Sequence, residues 1–206
     1  IIHWNLSKTY MRDLEGKGVG IVPTCWPDGI DRHALAGFRE RLESSELVVK
    51  PVIGANGEDA YRVSPDDTPD RLDRIAGRFR GRDCMVQKFM PAILTEGEYS
   101  LFFFGGRYSH AVLKTPAESE FRSQEERGAQ LRTVEPGDKL LLRGRQALSA
   151  IPERLLYARI DFVRDQADDF MLMEMELIEP SMYLRMDAGA PERFARAIDD
   201  WYRLTS

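Results

Sequence analysis

The chain has 206 residues, with 29 Lys and Arg against 34 Asp and Glu, and two cysteines. A net charge of −5 argues against bulk electrostatic binding of nucleic acid, and no apolar run approaches the roughly 20 residues that span a bilayer. Cys25 and Cys84 form neither a disulfide framework nor a metal-spaced motif, which points to a reducing, cytoplasmic setting. Ile1 rather than Met opens the chain, without a basic n-region or cleavage signature, so the sequence reads as the interior of a longer protein.

Tyr10, Met11 and Leu14 make a short helical stripe that Gly16 and Gly18 end. Val19 to Pro23 reads as a brief strand or extended segment, and Cys25 to Gly29 as a turn that leaves Cys25 in a loop. Asp31 can cap a helix carrying Leu35, Phe38 and Leu42. Strands follow at Leu47 to Lys50 and Ala60 to Val63, separated by a loop bearing Gly54 and Gly57. Thr68 and Pro69 open a third helix, with Leu72, Ile75, Ala76 and Phe79 on one face. Beyond Gly81 the pattern turns to strands at Met85 to Phe89, Tyr99 to Phe104 and Tyr108 to Lys114, the last two joined at Gly105-Gly106. Pro116 to Pro136 is polar and long for a passive loop. A helix over 136–151 precedes a hairpin of 156–163 and 170–177, in which Met171, Met173 and Met175 read as core. The final helix starts at Pro191 and is expected to bury Phe194, Ala197, Ile198 and Trp201. The fold class is α+β, mainly antiparallel, with helices packed on the sheets.

The chemistry concentrates in the last hairpin. Alternation puts Arg159 and Asp161 on one face of the first strand, and Glu174 and Glu176 on one face of the second. A turn near Ala167-Asp168 sets Asp161 opposite Glu174, so three carboxylates and a guanidinium converge. Like charges at neighbouring same-face positions repel, and a hard divalent cation relieves them. An ordinary solvated acidic face is the other reading of the same residues. Lys50, at a strand end beside a glycine loop, suits phosphate oxygens, as it would suit any turn. Gln87-Lys88-Phe89-Met90-Pro91 joins the two halves and offers backbone groups beside apolar side chains, which fits an adenine edge or a plain linker.

Taken in order, these segments resemble an ATP-grasp domain, in particular the ATP-binding part of bacterial glutathione synthetase and related carboxylate–amine ligases. The matching pieces are Val49-Lys50-Pro51 with the Gly54 to Gly57 loop, Val86 to Ile93, Gly97-Glu98, Arg159-Ile160-Asp161 and Glu174 to Pro180. The resemblance implies two α+β lobes with largely antiparallel sheets clamping a nucleotide. Residues 1–27 would be the junction with an upstream domain, 28–90 the first lobe with its glycine lid, and 91–206 the second lobe with the metal site. It further implies Lys50 on the nucleotide phosphates, Gly54 and Gly57 in the lid, and Gln87, Lys88, Phe89 and Met90 at adenine. Glu98 would meet the ribose, and Asp161, Glu174 and Glu176 would bind magnesium. The family usually has Asn at the third metal position, so Glu176 adds negative charge. Arg159 falls where such enzymes place an arginine near the transferred phosphate. Where Ser100 stands the family often has arginine, and Lys114 or Arg122 would supply that charge, Arg122 toward the substrate.

The implied reaction is ATP-dependent activation of a small-molecule carboxylate as an acyl phosphate, followed by attack of an amine. ATP and Mg²⁺ are the expected cofactors, with Mn²⁺ able to replace Mg²⁺. Small carboxylate and amine substrates are the expected partners, without nucleic acid or membrane, and a homo-oligomer is left open. Two other readings stand beside this one, a non-catalytic or regulatory ATP-binding module and an ATP-grasp kinase acting on a hydroxyl. His110 reads as a structural strand residue, and no nucleophilic triad is needed.

Overall fold

A computed structural model describes residues 1–205. In chain order the elements are α1 (Ile2–Leu6), α2 (Tyr10–Gly16), β1 (Thr24–Cys25), α3 (Ala34–Arg41), β2 (Leu47–Pro51), β3 (Tyr61–Val63), α4 (Pro69–Arg78), β4 (Cys84–Lys88) and α5 (Ala92–Thr95). They continue with β5 (Glu98–Phe104), β6 (Arg107–Thr115), β7 (Gln130–Thr133), α6 (Asp138–Ser149), β8 (Tyr157–Arg164), β9 (Phe170–Glu176) and α7 (Ala190–Thr205). They form two compact units. One comprises Ser7–Thr9 with Val22–Pro91, and the other Ile1–Leu6, Tyr10–Ile21 and Ala92 onward. The stretch 1–27, read from sequence as a junction, is thus divided between them.

The smaller unit is an antiparallel sheet in the order β1-β4-β2-β3 with α3 and α4. Alternation along β2 sends Leu47 and Val49 into a core with Cys25, Leu35, Val63, Ile75, Phe79, Cys84 and Val86. Val48 and Lys50 take the other face, opposite Gln87 and Met85 of β4. Cys25 is a buried strand residue, not a loop residue, because Thr24 and Cys25 pair with Gln87 and Val86. Both helix starts follow the caps seen in sequence. Asp31 accepts the Ala34 N–H at 2.8 Å, and Thr68 accepts that of Arg71 at 3.3 Å with Pro69 in the first turn. Gly29 has φ +109°, and a Cβ there would lie 2.7 Å from the Phe79 carbonyl oxygen.

The larger unit is an antiparallel sheet in the order β7-β6-β5-β8-β9. Leu101, Phe103, Ala111, Leu113, Ile160, Phe162 and Met175 form its buried inner face. Helix α6 brings Gly144 against Leu101 and Phe103. The opposite face is divided. Phe102, Phe104 and Val112 lie in an apolar cluster with Phe194 and Ala197 of α7, and the other end is charged. Between Asp161 and Phe162 the register slips by one, since Asp161 pairs with Glu174 but Phe162 with Leu172. Met173 is the extra residue, so Phe170 and Leu172 point inward before it and Met175 after it. That parity change leaves Met171 and Met173 half-buried, where the alternation had all three methionines in the core.

One alternative is resolved and two further expectations are corrected. Of the two readings of Val19 to Pro23, the brief strand gives way to an extended segment with a single bridge, Ile21 to Leu172. The polar stretch 116–136 contains β7, whose single large apolar residue, Leu131, gives no strand pattern. Ile198 is 46% exposed, because α7 lays Ala190, Phe194 and Ala197 on the sheet and Ile198 lies about 100° round the helix from Ala197.

The glycine loop of the smaller unit ends at Asp59, which accepts from Arg78 at 2.7 Å and Arg82 at 2.9 Å. Hydrogen bonds from Arg78 and Arg82 hold its carboxyl down to about 2. A group lowered in this way stabilises the fold above its unfolded value near 4, and the contribution is lost as pH falls toward 2. Asp59→Asn is expected to cost about 1 kcal/mol in urea unfolding at pH 7, a modest figure because both arginines are solvent-exposed. The gap to the parent should close between pH 4 and pH 2.

Candidate functional site

Strand pairing puts Glu98 opposite Lys114, Ser100 opposite Asp161, Asp161 opposite Glu174 and Arg159 opposite Glu176, so all of these side chains share one face. Asp161 is the hub. It is buried, accepts from Ser100 Oγ at 2.6 Å through Oδ1, and meets Arg159 Nη2 at 3.0 Å and Lys114 Nζ at 3.4 Å through Oδ2. Lys114 also bonds Glu98, and Arg159 also bonds Glu176. Gly97 lets the chain enter β5 at this point, since its φ is +121° and a Cβ would fall 2.6 Å from the Lys114 carbonyl oxygen.

The two acids beside Lys114, Asp161 buried and Glu98 half-buried, respond differently. Burial pushes the Asp161 carboxyl up, but Arg159, Lys114 and the Ser100 hydroxyl together outweigh it and hold Asp161 far below the usual carboxylate range. Burial also pushes Glu98 up, and there Lys114 opposes it insufficiently, so the carboxyl stays raised. Burial would lower Lys114, yet Asp161 and Glu98 raise it, and it remains a cation. Burial drives Glu176 up to about 7. Arg159 works against that shift, and the neighbouring Glu174 and Asp161 add to it. The Glu176 carboxyl is thus raised mainly by its loss of solvent, with the repulsion of Glu174 and Asp161 as a lesser contribution.

Among the described residues no three His, Cys, Asp or Glu side chains are grouped to hold a metal ion. Arg159 bonds both Asp161 and Glu176, so the three expected carboxylates do not close into one ligand set. The donor chemistry nevertheless fits Mg²⁺, which commonly binds through one or two carboxylates plus substrate phosphates. Glu174 and Glu176 supply two such carboxylates.

The remaining expected residues lie in separate places. In the smaller unit, Lys50 is half-buried on β2 opposite Met85, ahead of Gly54 and of Gly57 at φ +63°. The Gly54 carbonyl accepts from Lys8 Nζ at 3.0 Å. Gln87 is buried and donates from Nε2 to Thr24 Oγ1 at 2.9 Å. The backbone N–H groups of Lys88 and Phe89 are committed to the carbonyls of Pro23 and Glu46. The Phe89 ring lies 4.0 Å under the Arg62 guanidinium, itself held by Glu46 at 2.8 and 3.1 Å. Met90 is buried at the end of this hinge. In the larger unit, Arg122 pairs with Glu120 at 2.7 Å. His110 is buried and stacked on Phe102 at 4.4 Å.

Sequence reasoning missed Ser100 as the partner of Asp161, although the alternation that places Glu98 places Ser100 on the same face. It also missed Asn5 and Tyr10, whose side chains bond β9 from 165 to 172 positions away, a contact that no local pattern signals. The charge cluster yields a direct prediction. Lys114→Met leaves the half-buried Glu98 and the buried Asp161 with one cation fewer, and chemical denaturation at pH 7 is expected to register a loss of about 3 kcal/mol. Part of that loss should return as pH falls, because Glu98 then takes up a proton.

Comparison with known proteins places this geometry in a family. The sequence model of the prokaryotic glutathione synthetase ATP-grasp domain matches residues 29–175. The cycloserine biosynthesis protein DcsG of Streptomyces lavendulae is 30% identical, with 96% of this chain and 70% of that protein aligned. The crystal structure of D-cycloserine synthetase DcsG superposes with a TM-score of 0.84 at 28% identity, over 97% of this chain and 71% of that one. Glutathione synthetase of Rhodopseudomonas palustris is 28% identical over 73% of this chain, which spans only 46% of that enzyme. The ATP-grasp ligase PsnB, in a structure with Mg and ADP, shares the fold with a TM-score of 0.66 at 17% identity, over 95% of this chain and 58% of that one. The chain has the ATP-grasp fold and belongs to the prokaryotic glutathione synthetase ATP-grasp domain family, whose relatives are ATP-dependent ligases.

Proposed function

We propose that this chain is the ATP-binding part of a ligase that joins a small-molecule carboxylate to an amine at the expense of ATP. The observation that carries the reading is Asp161, held anionic in a buried position by Arg159, Lys114 and Ser100. Such a cluster fixes two cations beside a carboxylate pair, which suits a reaction whose charge develops on phosphoryl and acyl oxygens. In the first step a substrate carboxylate oxygen attacks the γ-phosphorus and ADP leaves. In the second the amine attacks the acyl carbon and inorganic phosphate leaves. Arg159 and Lys114 stabilise the oxyanions of both steps, and positioning supplies most of the remainder.

Lys50 and the Gly54 to Gly57 loop meet the ATP phosphates, and Glu98 provides the ribose contact. With the Lys88 and Phe89 amides committed, a purine edge relies on the hinge carbonyls and on Met90. Glu174 and Glu176 would hold Mg²⁺, which supplies charge neutralisation at the phosphates, and Mn²⁺ shares that preference for oxygen ligands. Asp161 could join the ion only by giving up its bonds to Arg159 and Lys114. Arg122, paired with Glu120, is the candidate for the acceptor substrate's negative group.

Two measurements test this reading. ATP should raise the melting temperature only when Mg²⁺ is present, and the increment should vanish in the Glu174→Gln, Glu176→Gln double variant. An undiminished metal-dependent shift in that variant contradicts the assignment. Lys50→Met should weaken ATP binding about tenfold or more in calorimetry, the worth of one charge-assisted bond to phosphate. Product analysis then separates the chemistry. Amine-dependent release of ADP and phosphate supports ligation, and a stable phosphorylated product favours a kinase.

A further inference from the structure

Strand β9 carries both Glu174 and Glu176 and lies at the edge of its sheet. An edge strand has one row of backbone groups with no neighbouring strand. Here the Gly20–Ile21 backbone covers the start of β9 near Leu172, and side chains from the N-terminal segment cover the stretch around Met175. Asn5 Nδ2 donates to the Met175 carbonyl at 2.9 Å, and Asn5 Oδ1 accepts the Leu177 N–H at 2.9 Å. The Tyr10 hydroxyl accepts the Met175 N–H at 2.7 Å, and the Gly20 carbonyl accepts the Leu172 N–H at 2.9 Å. One carboxamide thus mimics a strand's peptide unit, and a phenol extends it. The arrangement is itself braced. Trp4 packs on Tyr10 with ring centroids 5.2 Å apart and donates from Nε1 to Asp13 at 2.7 Å.

These bonds flank the backbone between the two glutamates. Glu174 and Glu176 stand two residues apart on one face and repel each other. An edge strand free on its outer side could relieve that repulsion by twisting or fraying. Bonds on both sides of Met175 oppose the movement and keep the carboxylates at a fixed spacing. Tyr10 is fully buried, and burial, reinforced by Glu174, raises its phenol well above the ordinary value, so it stays neutral beside the acids.

We propose that Asn5 and Tyr10 are positioning residues for the metal-binding carboxylates, standing in for the strand that β9 lacks and holding Glu174 and Glu176 in register for a divalent cation. The proposal rests on the reading that these glutamates bind the ion. Neither residue touches the metal, so both act through the backbone of β9, as outer-shell partners orient ligands elsewhere.

The test uses Mn²⁺ titrated into the whole chain preloaded with ADP, with bound metal followed by electron paramagnetic resonance against an ADP-only control. Tyr10→Phe and Asn5→Leu should each weaken Mn²⁺ binding about tenfold or more. Phe194→Leu, which thins the apolar cluster at the other end of the same face, serves as a stability control and should bind Mn²⁺ like the parent. Parent-like affinity in Tyr10→Phe and Asn5→Leu overturns the proposal, as does an equal loss in Phe194→Leu. A parent chain that binds no Mn²⁺ beyond the ADP control defeats instead the metal reading beneath it. Amide exchange on the parent gives an independent check that needs no variant. The Met175 and Leu177 amides should be strongly protected, and exchange at the rate of open edge amides overturns the clamp.

Discussion

The buried bond network of Asp161 is the constraint around which the larger unit is organised. One carboxylate receives a hydroxyl, a guanidinium and an ammonium, and each comes from a different strand or position of the sheet. Burial alone would favour a protonated Asp161, and the cations reverse that preference. The cost of burying these charges is offset only while all of them stay together. Ser100, Lys114 and Arg159 are therefore fixed by the same requirement that keeps Asp161 ionised.

The sheet makes this possible by dividing one face into two regions. Phe102, Phe104 and Val112 pack with α7 at one end, while Glu98, Ser100, Lys114, Arg159 and Asp161 occupy the other. The slip at Met173 changes which residues of β9 face the core, and it brings Glu174 opposite Asp161 while Met175 stays buried. Glu176 feels this neighbourhood too, its carboxyl pushed up to about 7 mainly by burial, with Glu174 and Asp161 adding to the rise and Arg159 opposing it. The polar end thus holds three or more carboxylates against the two cations Lys114 and Arg159.

Much of this was legible in the sequence because it is local. Period-two alternation put Arg159 with Asp161 and Glu174 with Glu176, and the turn position set the two pairs opposite each other. The caps at Asp31 and Thr68 were equally readable, since a cap and its helix are contiguous. What escaped was non-local or irregular. A bulge is invisible to a periodic pattern, so Met171 and Met173 were assigned to the core. β7 lacks the apolar alternation that marks a strand, and Cys25 sits in a two-residue strand defined only by its pairing with β4. Asn5 and Tyr10 reach β9 across most of the chain, and only the folded structure brings them there.

Anomalous scattering from crystals grown with ADP and Mn²⁺ tests the central claim most directly. A manganese peak within ligand distance of the Glu174 and Glu176 carboxylates, beside an intact Asp161–Arg159–Lys114 cluster, is the predicted result. Bound ADP with manganese elsewhere, or with none near β9, would contradict it.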